Sequence, residues 1–403
     1  MPKAIWLLII GMAINVTGSS LLWPLNTIYI HNHLGASLTM AGFLLMLNSG
    51  AGIIGNLMGG NLYDRIGGYR VVVVGVVITM LSAFLLTFFN SIVPYAILLV
   101  IIGFGSGMIF PAMYAMAGSA WPEGGRKPFN ALYVSQNLGV AIGASLGGWI
   151  ASYSFTYTFL TNALLYVLFL GMVVLFYRPI DRAHHHKGSI TNVIEQKKEI
   201  QQKGPFYALL IICFAFFLGW VAYVQWQVSI ASFTQQIGVS LSQYSLLWTA
   251  NGLLIVIGQP GVKWVTKRIP SLKAQILLGI SIFACSYVVV LFAHEFKGFL
   301  FAMIVLTLGE MLVWPAVPTI ASDLAPKSRM GFYQGFVNST ATAGRMVGPL
   351  IGGMVADFFS MHVLFVSLIF VYFIAGAVAY IYDLPLKRGS KAPVFEESLQ
   401  KVD

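Results

Sequence analysis

Two ionisable residues stand inside stretches that carry almost no other charge. Glu310 falls near the middle of the apolar run 297–322, and Arg345 near the middle of the run 332–358. An ionised group at membrane depth is expensive and is usually functional. A carboxylate placed there can carry protons, because a neighbouring cation keeps it ionised and a dry pocket drives it to take up a proton. Arg345, on the adjacent antiparallel helix, is expected to meet Glu310 at similar depth. Removing one member of such a buried pair costs about 3–5 kcal/mol. Asp357, near the far end of the second run, is a weaker second carrier. The first half of the chain has no acid inside its apolar runs. The chemistry implied is proton exchange, with a cationic ligand competing for one carboxylate. A purely structural clamp between two helices is the alternative.

The chain has 403 residues, 58% of them hydrophobic and 9% charged. Soluble domains carry roughly 25% charged residues, so an ordinary soluble enzyme and a disordered chain are both excluded. The 41 glycines fit apolar helices packed closely in lipid. Cys213 and Cys285 each lie inside an apolar run, which excludes a disulfide framework. The net charge of +10 sits in short breaks between runs rather than on one face, so nucleic acid is not a partner. No phosphate-binding glycine loop is present, so the expectation is no cofactor and a proton gradient as energy source. His184, His185 and His186 have no second ligand cluster, and no metal site is expected. With no histidine and no Ser/His/Asp set inside any run, a membrane-embedded enzyme is a remote alternative.

About twenty apolar residues are needed to cross a bilayer. Twelve runs qualify: 5–30, 38–62, 71–90, 93–120, 130–154, 158–177, 205–230, 242–264, 274–293, 297–322, 332–358 and 362–382. The first is too long for a signal-peptide core and contains Asn15, Pro24 and Asn26, so it reads as a span. Lysine and arginine crowd one side, where Lys297 is the sole exception, so that side and both termini are expected to be cytoplasmic. Ile109-Phe110-Pro111-Ala112 matches Val313-Trp314-Pro315-Ala316, and Pro122 matches Pro326. Gly139, Gly143, Gly147 and Gly148 match Gly344, Gly348, Gly352 and Gly353 at the same offset. The chain therefore divides into a first six-helix bundle (1–177), a linker (178–204) and a second bundle (205–383), with a tail at 384–403. Parallel repeats of this kind place a transporter's site between the halves, near mid-membrane. In the linker, Ile190, Val193 and Ile194 share a face beside lysines, which suits a short helix on the membrane surface.

The loop between spans 2 and 3 reads Gly60-Asn61-Leu62-Tyr63-Asp64-Arg65-Ile66-Gly67-Gly68-Tyr69-Arg70. It resembles the signature of the major facilitator superfamily, with Gly68-Tyr69 where that family has two basic residues. Gly67 and Gly68 permit the tight reversal. Asp64 can accept from the free N–H groups that begin span 11 and complement that helix dipole. Arg65 and Arg70 can reach headgroups. Together these form a latch holding the halves closed on one side. A degraded copy, Gly258 to Arg268, aligns Lys267 with Asp64, and Lys267 or Arg268 is expected to meet Asp323. Gly344, Gly348, Pro349 and Gly352 resemble the G-x-x-x-G-P-x-x-G-G pattern of proton-driven exporters, shifted here to span 11; span 5 has Ala144 at the proline place. Gly309-Glu310 and Pro315 resemble a segment of LmrP-type multidrug transporters.

The resemblance implies an all-α membrane protein of the major facilitator fold, twelve helices in two pseudo-two-fold bundles. It implies a drug:proton antiporter of the cell membrane, working as a monomer by alternating access, with protons, lipids and a small-molecule substrate as partners. A specific carrier of a metabolite, sugar or lipid-linked glycan, for which Arg345 would suit an anionic group, is the main rival. Candidate cavity residues are Asn15, Trp23, Asn26, Phe110, Tyr114, Trp220, Tyr223, Gln225, Trp226, Trp248, Asn251, Trp314 and Asn338. An apolar aromatic pocket with one carboxylate suits lipophilic cations.

Overall fold

A computed structural model describes residues 1–22, 25–89, 91–188 and 203–389, with the backbone alone for 32, 38–39, 182–188, 241–242 and 388–389. Trp23, the expected surface helix around 190–198 and the tail beyond 389 lie outside the described residues.

Each long apolar run forms a helix, because every backbone polar group in lipid must be satisfied within its own segment. The helices are α1 (Lys3–Leu22), α2 (Leu38–Ile66), α3 (Gly68–Leu85), α4 (Ile92–Ala120), α5 (Lys127–Ala151) and α6 (Phe155–Gly188). The second half repeats them as α7 (Lys203–Tyr223), α8 (Leu241–Ile257), α9 (Leu272–Leu291), α10 (Phe296–Leu324), α11 (Met330–Phe358) and α12 (Met361–Ile381). Helix starts are marked by serines: Ser37, Ser240, Ser271 and Ser360 each accept from a backbone N–H of the first turn. Among the described residues nine helices are long and apolar enough to cross a membrane. A tenth is α8 joined to Gln259–Arg268 across a 58° bend. The remaining two of the twelve, α5 and α11, are less apolar because they carry the glycine rows.

Those rows set the closest helix contacts. Gly139, Gly143 and Gly147 of α5 lie on the backbone of Ala13, Thr17 and Leu21 in α1. Gly344 and Gly348 of α11 lie on Trp220 and Val221 of α7, and Gly352 lies on Gln225 in the turn that follows α7. A four-residue spacing keeps each row on one face, and side chains there would hold the helices apart. Both partner helices also break at equivalent points. After α1 come Asn26–Ile28 and a π-turn at Tyr29–His33; after α7 come a 3-10 turn at Val224–Trp226 and the helix Ser229–Gln236.

One apolar cluster is drawn from residues between Ile5 and Ile180, and another from residues between Leu209 and Ala379. Tyr133 of α5 joins the second cluster, so one aromatic side chain of the first half is packed into the other. Elsewhere the halves meet at the end bearing the basic loops. Gly60 abuts the Gly331 carbonyl and Gly335 abuts that of Asn56. The Ser339 hydroxyl donates to the Ile53 carbonyl at 3.2 Å, and Asn56 donates to Thr342 at 3.4 Å. Towards the opposite end, Gly42 and Gly50 of α2 and Gly353 of α11 have no neighbour within 4 Å. The molecule is closed at its basic end.

Replacing Gly143 by Leu should force α1 and α5 apart, since a Cβ at Gly143 already overlaps the Thr17 backbone. Overpacking costs about 1–3 kcal/mol. Thermal unfolding of the purified protein should show a clearly lowered midpoint, whereas Gly148→Leu, where a side chain meets open space, should leave it unchanged.

Candidate functional site

Glu310 is buried in the middle of α10, 4% exposed. Its position places the carboxylate against three other helices. Tyr223, at the end of α7, donates its hydroxyl to Oε2 at 2.9 Å. Asn251 of α8 donates to the same oxygen at 2.8 Å and to Thr307 at 2.9 Å. The hydroxyl of Tyr133 on α5 and the indole N–H of Trp314 also close on the carboxylate, without reaching strict hydrogen-bond geometry. Every one of these donors is neutral. Neutral donors satisfy the oxygens without fixing their charge, as a guanidinium would. Tyr133 belongs to the first half of the chain, so the carboxylate is touched from both halves.

An aromatic layer covers this site. Trp220 and Trp314 stack with centroids 4.5 Å apart and planes within 6°. Tyr223 meets both edge-on, at 5.3 and 5.4 Å, and Trp248 meets Tyr223 at 6.5 Å. Arg345 lies on the outer face of this stack, its guanidinium carbon 4.7 Å from the centre of Trp220. Among the described residues Arg345 makes one hydrogen bond, at 3.4 Å, to Thr342 on its own helix.

The expected Glu310–Arg345 pair is therefore not formed. The two residues are separated by two stacked indoles. The reason is the glycine row: Gly344 seats α11 on the Cβ of Trp220, so the next side chain falls on that indole rather than towards α10. Arg345 is exposed on α11. Asp357 is exposed near the other end of α11, away from Glu310.

At the basic end Asp64 caps α11. Its two oxygens accept from the N–H groups of Gly331 at 2.7 Å and Phe332 at 2.8 Å. The first N–H groups of a helix have no internal partner and carry its positive dipole end, so a carboxylate is held there by both effects. Gly67 makes the reversal after α2 with φ +89°, a conformation that suits glycine. Gly68 has its own reason: a Cβ there would meet Met116 and Tyr63, and its N–H donates to Asp181 at 2.8 Å. A basic side chain has no room at that position. Arg65 and Arg70 are exposed. The expected pairing of Lys267 or Arg268 with Asp323 is not made among the described residues. The bend before Gln259–Arg268 turns that helix aside, and Arg268 stacks on Trp264 at 4.7 Å.

The remaining cavity candidates divide. Trp220, Tyr223, Trp248, Asn251 and Trp314 gather around Glu310. Gln225, in the 3-10 turn after α7, instead donates to the Gly348 carbonyl of α11 at 2.7 Å, and Trp226 of the same turn is fully buried against Tyr287 of α9. Asn26 accepts from Tyr95 at 2.8 Å, and Tyr114 stacks on Phe129. Phe110 is half-buried, and Asn338 bonds its own helix at Gln334. Asn15 is buried with both amide atoms unpartnered. Two polar groups at the junction, Tyr133 and Arg126, were not legible as site residues. Arg126 reads as one more basic loop residue, although the nearby Pro315 signals an acceptor for it.

The Major Facilitator Superfamily model matches residues 8–231 and 226–402. The uncharacterized MFS-type transporter YttB of Bacillus subtilis (strain 168) is 55% identical over 388 residues, covering 96% of this chain and 97% of that protein. A Na(+), Li(+), K(+)/H(+) antiporter of Planococcus maritimus is 25% identical over 373 residues, covering 84% of this chain and 86% of its own. The crystal structure of the human organic anion transporter MFSD10 shares the fold with TM-score 0.76 at 12% identity, covering 94% of this chain and 100% of that one.

Asp64→Ala should release the first turn of α11. Hydrogen bonds to a charged group contribute about 1.5–3 kcal/mol, enough to speed amide exchange roughly tenfold or more. Hydrogen–deuterium exchange of the Gly331 and Phe332 amides should accelerate accordingly; unchanged protection would mean the carboxylate does not hold that helix end.

Proposed function

The chain belongs to the Major Facilitator Superfamily, and within it we propose a proton-coupled antiporter that exports amphipathic, chiefly cationic compounds by alternating access. The observation that carries this reading is Glu310. It is a buried carboxylate held by neutral donors from α7 and α8, touched by Tyr133 from α5, and walled by four aromatic side chains. A proton and a cationic ligand are competing ways to neutralise it, and that competition is the physical basis of exchange. The likeness to a cation/proton antiporter supports the same logic.

The aromatic layer sets the substrate class. Indole faces attract cations, by about 0.5–1 kcal/mol when exposed and about 2 or more when desolvated. The face of Trp220 already receives one cation, the guanidinium of Arg345. A lipophilic cation entering between the halves competes for the same faces. In this reading residues 1–177 and 205–383 are the two rocking bundles and Asp64, Arg65 and Arg70 belong to the latch between them. The basic end and both termini face the cytoplasm of a cell-membrane monomer. Protons flowing inward drive the cycle. No cofactor is required.

One observation favours a second substrate class. Arg345 is exposed on α11 and has no carboxylate partner among the described residues, so it can receive an acidic group. A carrier of anionic amphipaths would depend on it.

Two variants separate these readings. In inverted vesicles under an imposed proton gradient, Glu310→Gln should lose gradient-driven uptake of tetraphenylphosphonium by an order of magnitude or more, while exchange without a gradient persists. Uptake equal to wild type would remove Glu310 from coupling. Arg345→Gln should leave tetraphenylphosphonium uptake intact or raised; a loss confined to anionic dyes would select the second class.

A further inference from the structure

Helix α10 contains a built-in defect at the level of Glu310. Pro315 lies inside it and has no N–H, so the Met311 carbonyl one turn earlier lacks its intrahelical donor. A buried polar group left unpaired is costly, and α10 is among the most buried helices of the molecule. The donor comes from the other half of the chain. Arg126, just before α5, donates one guanidinium nitrogen to the Met311 carbonyl and the other to the side chain of Gln275 on α9. Gln275 is buried and anchored in turn, donating to the Ile269 carbonyl at 2.7 Å. One turn along α5, Asn130 donates to Gln259 at 2.7 Å, beside the α8 bend. One turn further stands Tyr133, against Glu310. The start of α5 thus grips α8, α9 and α10 together. Among the described residues no carboxylate pairs with Arg126.

We propose that Arg126 is a positioning residue of the transport cycle: its guanidinium closes the basic end by supplying the donor that Pro315 removes from α10. A planar fork suits two acceptors on different helices, which an ammonium would meet only one at a time. When the halves part at this end the fork must leave, and water takes its place on the Met311 carbonyl. The bond exists only in the closed form, so its free energy shifts the balance between closed and open carriers. The inference rests on the alternating-access reading but not on Glu310 as proton carrier.

The test reads closure directly and needs neither substrate nor gradient. Ser322 sits in the closed junction, beside Gly118 and Met330. A Ser322→Cys reporter is placed in a Cys285→Ala background and the purified protein in nanodiscs is alkylated with a bulky maleimide. Arg126→Gln should raise the labelling rate several-fold, and Arg126→Lys should fall between it and the parent. Pro315→Ala restores the N–H at position 315, so Arg126→Gln in that background should change labelling much less. Equal rates with and without Arg126 would overturn the proposal. So would an undiminished Arg126→Gln effect beside Pro315→Ala, which would assign the grip to Gln275 alone. Buried Cys213 monitors integrity; if Arg126→Gln exposes it, Arg126→Lys decides by the same readings. Because labelling is blind to coupling, an unchanged Glu310→Gln transport result and an unchanged Arg126 labelling result fail different claims.

Discussion

The proposed cycle turns on one carboxylate that, among the described residues, has no cation beside it. Glu310 is held by Tyr223 and Asn251, with Tyr133 and Trp314 closing on it, and all four are neutral. Charge in a low-dielectric interior is costly unless compensated, and the proposed exchange assigns that compensation to a proton or a cationic ligand. The break after Tyr223 turns its hydroxyl onto the acid. The glycine row of α11 draws α7 close enough to stack Trp220 on Trp314. The close packing of α5 brings Tyr133 across from the other half.

Closure at the basic end uses a related economy of charge. In so apolar a chain, two of the polar sites at the junction are backbone groups that helices leave unpaired. Asp64 takes the N–H groups at the start of α11, and Arg126 takes the carbonyl that Pro315 frees in α10. Each charge comes from the first half and each backbone site from the second. The signs are complementary, a carboxylate on a positive helix end and a guanidinium on an oxygen. Water can replace such contacts if the halves separate, which suits the proposed alternating access.

Much of this was legible beforehand, for physical reasons that differ by residue. The spans could be read because crossing a bilayer demands a bulk property, length of apolar sequence. The glycine rows could be read because a four-residue period names one helix face. Asp64 could be placed on α11 because a loop acid and a helix start make a simple electrostatic complement. What failed was rotation. Depth along α10 and α11 predicted a meeting of Glu310 and Arg345, but depth says nothing about which way each helix faces. Gly344 decided that, by seating α11 on Trp220. The same limit hid the fate of Arg268, which a 58° bend carries away from Asp323 and onto Trp264. Arg126 looked like an ordinary loop charge because its acceptor is a backbone oxygen, and backbone oxygens have no letter in a sequence; only the proline four residues later marks it.

The most direct measurement is the proton count on ligand binding. Tetraphenylphosphonium is added to the purified carrier in lightly buffered detergent containing a pH indicator, below the pH at which the acid empties on its own. The account predicts that binding releases protons from the wild-type protein and none from Glu310→Gln, with release retained in Arg345→Gln. Release of equal size from Glu310→Gln would contradict it, and the exchangeable proton would have to reside elsewhere.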